Sequence, residues 1–235
     1  MKPTLRLLCA LSLPVLATAA ALLARAGWDG DFSKEQAPSH SRCAVLISND
    51  SSERHLQNLE AAEAALRRWH FDDIAVLGKV TVPTAAEVQL ALSNAKKQDR
   101  NLSLLYLTGH GSLRFSAEHP EGMPILMLKD RPLTAENLAQ NLGNGPCAIY
   151  IDQCYSPAFM DELARRLRGQ FLLLSDKNAE HSTACCAPFS GRFWNALTES
   201  TGEPFFKHIN FVWDKTCSDG SRILLGKSLN GRLTP

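Results

Sequence analysis

Between residues 43 and 174 the chain sets short, nearly wholly apolar runs against longer segments whose apolar residues recur every three or four positions. The runs are Cys43–Ile47, Ile74–Leu77, Leu102–Thr108, Cys147–Ile151 and Phe171–Leu174. Each is apolar at successive positions, so as a strand it needs cover on both faces. Between them, Leu56, Leu59, Ala62, Leu66 and Trp69 predict an amphipathic helix over Glu53–Trp69. Pro83-Thr84 opens another helix to about Lys97, Thr134 caps one to about Leu142, and Phe159–Leu167 and Gly191–Thr198 read as two more. Residues 112–132 form an excursion with a hairpin candidate at Ile125–Leu128, and Ile209–Trp213 reads as a last strand. Buried strands interleaved with helices predict a three-layer αβα domain with a mostly parallel sheet over residues 42–235.

The chain before that domain has a different character. Lys2 and Arg6 precede an uncharged apolar run from Leu7 to Ala24, and Ala24-Arg25-Ala26 supplies the small-x-small pattern of a signal-peptidase site. Residues 1–26 therefore read as a secretory signal peptide and 27–41 as a polar leader, with an uncleaved anchor as the alternative. Cleavage would remove Lys2, Arg6 and Arg25 and no acid, leaving a mildly acidic protein, secreted or periplasmic and free of the membrane. A formal net charge of +1 lacks the basic excess of a nucleic-acid binder, and 45% hydrophobic residues exclude a disordered chain. Seven cysteines in 235 residues are too few for a disulfide scaffold. At the other end, Ser228–Pro235 reads as a short tail, which leaves no large inhibitory domain there.

Chemistry concentrates where two strands stop. The third run ends in Thr108-Gly109-His110-Gly111-Ser112 and the fourth in Asp152-Gln153-Cys154-Tyr155-Ser156. Parallel sheets gather ligands and catalytic groups beyond the carboxyl ends of their strands. If the two strands are neighbours, about 4.8 Å apart, His110 and Cys154 face one cleft as base and thiol nucleophile. A histidine partner lowers the thiol pKa, and the Gly111 and Cys154 amides are placed to hold an oxyanion. Taken singly, a strand-end cysteine is more often a small buried hydrophobe, and a His-Gly turn is common.

These motifs resemble the clan of cysteine peptidases that holds caspases and legumains, and most closely the legumain family, peptidase C13. Leu105-Tyr-Leu-Thr-Gly-His-Gly-Ser112 is similar to the family's histidine motif and Ile149-Tyr-Ile-Asp-Gln-Cys-Tyr-Ser156 to its cysteine motif. Ser52-Glu-Arg-His55 resembles its Asn-x-Arg-His segment, and Asn178-Ala-Glu-His-Ser-Thr183 its Asn-x-x-Glu-Ser-Ser stretch. The resemblance implies a caspase/legumain-like fold. It makes Cys154 the nucleophile and His110 the base and later the acid, with Gly111 helping at the oxyanion. Arg54, His55 and Asp152 match positions lining the pocket for the residue before the scissile bond.

The departures carry information. Pro157 stands where the family has glycine, Ser52 where it has the asparagine that partners the histidine (Asn49 being close enough to replace it), and Gly109 where an acid precedes the histidine. Arg192 stands at a later acidic pocket position. Two acids lost with Arg54 and His55 kept predict a more positive pocket, favouring Asp over Asn, unless Arg192 points to solvent. The mechanism needs no metal or cofactor. Cys185-Cys186, Cys217, His181 and His208 lack ligand spacing, and a bridge from one of the adjacent pair to Cys217 fits an exported protein better. Cys43 and Cys147 read as buried thiols and Arg165-Arg-Leu-Arg168 as a solvated face. The function expected is an exported cysteine endopeptidase acting on peptide or protein substrates through a Cys154 acyl-enzyme. The alternatives are a transpeptidase of the same family and a non-catalytic peptidase-fold binder.

Overall fold

The computed structural model describes residues 42–96, 101–143, 146–175, 187–199, 205–216, 222–229 and 232–234. The signal and leader, the Asn178–Thr183 motif, and Cys185, Cys186 and Cys217 lie outside the described residues.

In chain order the first half runs β1 (Arg42–Ser48), α1 (Glu53–Arg68), β2 (Asp73–Leu77), α2 (Ala85–Asn94) and β3 (Asn101–Thr108). A small excursion follows, with β4 (Gly111–Arg114), β5 (Met123–Met127) and β6 (Pro132–Thr134) leading into α3 (Ala135–Asn141). The second half comprises β7 (Cys147–Asp152), α4 (Ser156–Ala164), β8 (Gly169–Ser175), α5 (Ala187–Glu199), α6 (Phe205–Thr216), β9 (Arg222–Leu229) and β10 (Arg232–Thr234). The main sheet has the order β10-β9-β8-β7-β3-β1-β2. Its five strands β2, β1, β3, β7 and β8 are mutually parallel, and β9 and β10 add to it antiparallel. The chain steps from β1 to β2 on one side and then to β3 on the other, so the order in which parallel strands are added reverses between β1 and β3. Such a switch point leaves a crevice at the strands' carboxyl ends.

Side-chain alternation in these strands sorts the core. Val45, Ile47, Leu105, Leu107, Ile149 and Ile151 share one cluster with Phe159, Met160 and Leu163 of α4. The intervening tyrosines do something else. Tyr106 and Tyr150 stack with ring centroids 5.0 Å apart and meet Trp194 of α5 and Trp213 of α6 edge-on. The Trp69 indole donates to the Leu197 carbonyl at 2.8 Å, tying the end of α1 to α5. Helix starts follow their caps: Thr84 and Glu87 form a reciprocal capping box on α2, and Thr134 accepts from the Asn137 amide.

The structure corrects the reading of the carboxy-terminal third. Ile209–Trp213 is not a strand but lies inside helix α6. Phe205, Phe206, Ile209, Val212 and Trp213 are all buried, and their spacing closes one face of a helix. The last strands come later, as β9 and β10, where a tail was expected. The hairpin candidate is the middle strand of a three-stranded antiparallel sheet, β4-β5-β6. No helix among the described residues is long and apolar enough to cross a membrane.

Candidate active site at the carboxyl edge of the sheet

Strands β3 and β7 pair in parallel with Thr108 opposite Asp152 on their last shared rung. His110 and Cys154 each lie two residues beyond that rung. The Gly109 amide donates to the Asp152 carbonyl at 3.2 Å, and the Asn49 amide donates to the Thr108 carbonyl at 3.3 Å. Three strand ends are thus laced together at one rim, and the residues just past them share it.

His110 is held by main chain and ring together. Asn49 accepts from the His110 amide through Oδ1 at 2.7 Å and donates through Nδ2 to the His110 carbonyl at 2.8 Å. The same Nδ2 also reaches the Met127 carbonyl of β5 at 3.0 Å. This clamp explains Gly109, which has φ +122°: a Cβ there would sit 1.9 Å from Asn49 Oδ1. The ring is 66% exposed and presents Nε2 to Asp50 Oδ2 at 3.0 Å. Asp50 is itself fixed, accepting from the Ser52 amide at 2.9 Å and the Ser52 hydroxyl at 2.8 Å. Ser52 stands at the start of α1 with no side-chain cap bond, its hydroxyl being spent on Asp50. Burial works against the Asp50 charge. The Ser52 donors and the His55 and His110 rings nonetheless hold its carboxyl below the ordinary value.

Cys154 occupies the opposing end. It is a free, half-buried thiol in the sharp turn from β7 into α4. The turn is made by Tyr155, a non-glycine residue in left-handed conformation at φ 60°. Helix α4 begins at Ser156, and Pro157 sits in its first turn, where its missing N–H costs nothing. Gly111, the first residue of β4, packs so closely that a Cβ on it would lie 1.9 Å from the Cys154 carbonyl oxygen. Any side chain there would push β4 and the cysteine turn apart.

Beneath the rim lies a buried polar network. Asp152 Oδ2 accepts from Tyr106 and Thr108 hydroxyls at 3.1 Å each and from the Ser190 hydroxyl at 2.6 Å. His55 Nδ1 meets Thr108 Oγ1 at 2.8 Å. Its Nε2 lies 3.5 Å from Asp50 Oδ2 and 3.4 Å from Arg54 Nε. Burial lowers the His55 pKa below the ordinary imidazole value, against the pull of Asp152 and Asp50. Burial, together with the Asp152 charge, pushes the Tyr106 hydroxyl well up.

His110, Gly111 and Cys154 share the rim. His55 and Ser52 converge with His110 on Asp50, and Arg54 is exposed beside His55. Asp152 is buried, and its Oδ2 accepts from three hydroxyl donors. Arg192 lies on the exposed side of α5 with Asn195 and Glu199, while Ser190 two residues earlier is the one turned to Asp152. Asp50 was missed because Asn49-Asp50-Ser51-Ser52 has the composition of an ordinary turn and helix start. Its position at the end of β1, beside the switch point, is the signal that marks it. Among the described residues no group of three or more His, Cys, Asp or Glu is arranged to hold a metal ion. The chain matches no protein-family model and no curated protein.

Proposed function

We propose that the protein is a cysteine endopeptidase that cleaves peptide or protein substrates through an acyl-enzyme on Cys154. The observation that carries this is the equal offset of His110 and Cys154 beyond one rung of the β3–β7 ladder, with Asp50 on the imidazole. With Nε2 engaged by Asp50, His110 has Nδ1 left to serve the thiol, and the carboxylate stabilises the imidazolium that forms. Cys154 Sγ attacks the substrate carbonyl, and the Gly111 and Cys154 amides take the oxyanion. His110 then gives its proton to the departing amine, and water releases the acyl group.

The same reading extends to fold and setting. The aliphatic cluster with α4 on one face and the Tyr106–Trp194–Trp213 cluster on the other support a three-layer αβα arrangement of caspase/legumain type. Arg54, exposed beside His55, favours an acidic side chain before the scissile bond, Asp over Asn. Export to a secreted or periplasmic location rests on the Lys2–Ala26 pattern.

Turnover of a mixed peptide library by the protein and by Cys154→Ala tests the activity. Cleavage that vanishes in the variant is the expected result, with products read for Asp or Asn before the cut. Transfer products in place of hydrolysis would make the protein a transpeptidase. No reaction from the unaltered protein would leave a peptidase fold that binds without cutting.

A further inference from the structure

The carboxylate of Asp50 faces two imidazoles, and only one of them belongs to the proposed catalytic pair. His110 Nε2 lies 3.0 Å from Oδ2 and His55 Nε2 3.5 Å from the same oxygen, with the two rings edge to face at 5.9 Å. The hydrogen-bond chain behind His55 fixes its tautomer. Thr108 has a single hydroxyl proton, which it donates to Asp152. Its oxygen therefore accepts from His55, which places a proton on Nδ1. In the neutral ring Nε2 is then a bare lone pair. It accepts from Arg54 Nε and offers the Asp50 carboxylate no proton.

We infer that His55 is a positioning residue for His110: while its Nε2 is bare, Asp50 is left to His110, and a proton on that nitrogen draws Asp50 away. The inference rests on the Cys154–His110 reading and adds a regulator of that pair. Among the described residues, four charged groups act most strongly on His55. Asp50 approaches from the loop after β1 and Asp152 from β7 through Thr108, and both favour the proton. Arg54 on α1 and His110 beyond β3 oppose it, as does burial. Helix α5, packed along α1, turns the uncharged Ser190 to Asp152 and leaves its Arg192 and Glu199 exposed. Burial prevails, and the neutral ring is the resting form.

The rate at which iodoacetamide alkylates Cys154, mapped by mass spectrometry from pH 5 to 9, tests this without a peptide substrate. On the acid side the logarithm of the rate falls with a slope clearly above one in the unaltered protein, because both the catalytic pair and His55 take up protons. His55→Asn keeps a donor for Thr108 and removes the group facing Asp50, so its slope drops to about one. His55→Gln directs a permanent N–H at Asp50, and its plateau falls about tenfold below that of His55→Asn. An unchanged slope in His55→Asn, or equal plateaus in the two variants, would overturn the inference. His110→Ala separates the two levels. If it slows alkylation while His55→Asn leaves the slope alone, only the role of His55 fails. If His110→Ala has no effect on Cys154, the catalytic pair fails first. Should the variants not fold, ring-proton NMR of the unaltered protein replaces them. Two inflections on the His110 signal, one shared with His55, are expected, and a single inflection would overturn the coupling.

Discussion

Cys147 opens strand β7 and Cys154 follows its other end, and the two thiols live in different chemistry. Cys147 is buried, donates to the Ala148 carbonyl, and has its pKa pushed far up by burial. Cys154 is half-exposed in a left-handed turn, ahead of a helix N-terminus and packed on Gly111. The residue type is the same and so is the strand. What differs is the end of the sheet: the amino edge supplies apolar packing, and the carboxyl edge supplies loops, glycines and a second titratable group.

That contrast can be broken at several points. The largest effect falls on the proposed base. His110→Ala lowers the acylation rate about 10²- to 10⁴-fold, measured by burst or single-turnover kinetics, while Cys147→Ala leaves the rate alone and costs about 1 kcal/mol in denaturant unfolding. Equal losses from the two substitutions would erase the distinction between the edges. Asp50→Asn comes next, with a loss of about tenfold to a hundredfold in kcat/KM, since the imidazole remains but its orienting charge is gone. A variant as active as the parent would remove Asp50 from the site.

Below the rim the expected effect moves from rate to stability. Asp152→Asn leaves three buried hydroxyl donors crowding an amide, and its unfolding free energy falls by about 1–3 kcal/mol. An unaltered denaturation midpoint would show that the network carries little. The smallest effect is the pH dependence of stability. His55 and Asp50 both have folded-state pKa values below their ordinary values of 6.5 and 3.8. The unfolded chain therefore binds protons that the folded chain resists, and stability present above pH 6.5 falls as the solution is acidified. A second loss follows below pH 3.8, where Asp50 loses its charge. The melting temperature followed from pH 8 to 3 should decline in these two stages, and His55→Asn should lack the first.

Much of this architecture was legible from residue order because its signals are local. Five apolar runs became the five parallel strands, and the residues that follow two of them mark the rim. The misread element shows the limit of a short window. Ile209-Asn-Phe-Val-Trp213 looks like a strand over five residues, but Phe205 and Phe206 extend the pattern to a helical period. Asp50 was hidden for a different reason. Its role depends on β1 and β3 lying side by side, a fact that no stretch of sequence around it contains. Ser190 is harder still, since it reaches Asp152 from a helix 38 residues away in the chain. Gly109 reads as a lost acid until the Asn49 clamp supplies the reason for glycine.

The most direct test of the account is iodoacetamide labelling of the folded protein at pH 7, with modification mapped separately to Cys154 and Cys147. Cys154 should react well ahead of an exposed model thiol, lose that advantage in His110→Ala, and leave Cys147 unlabelled until the protein unfolds. Cys154 reacting no faster than the model thiol, with or without His110, would contradict it.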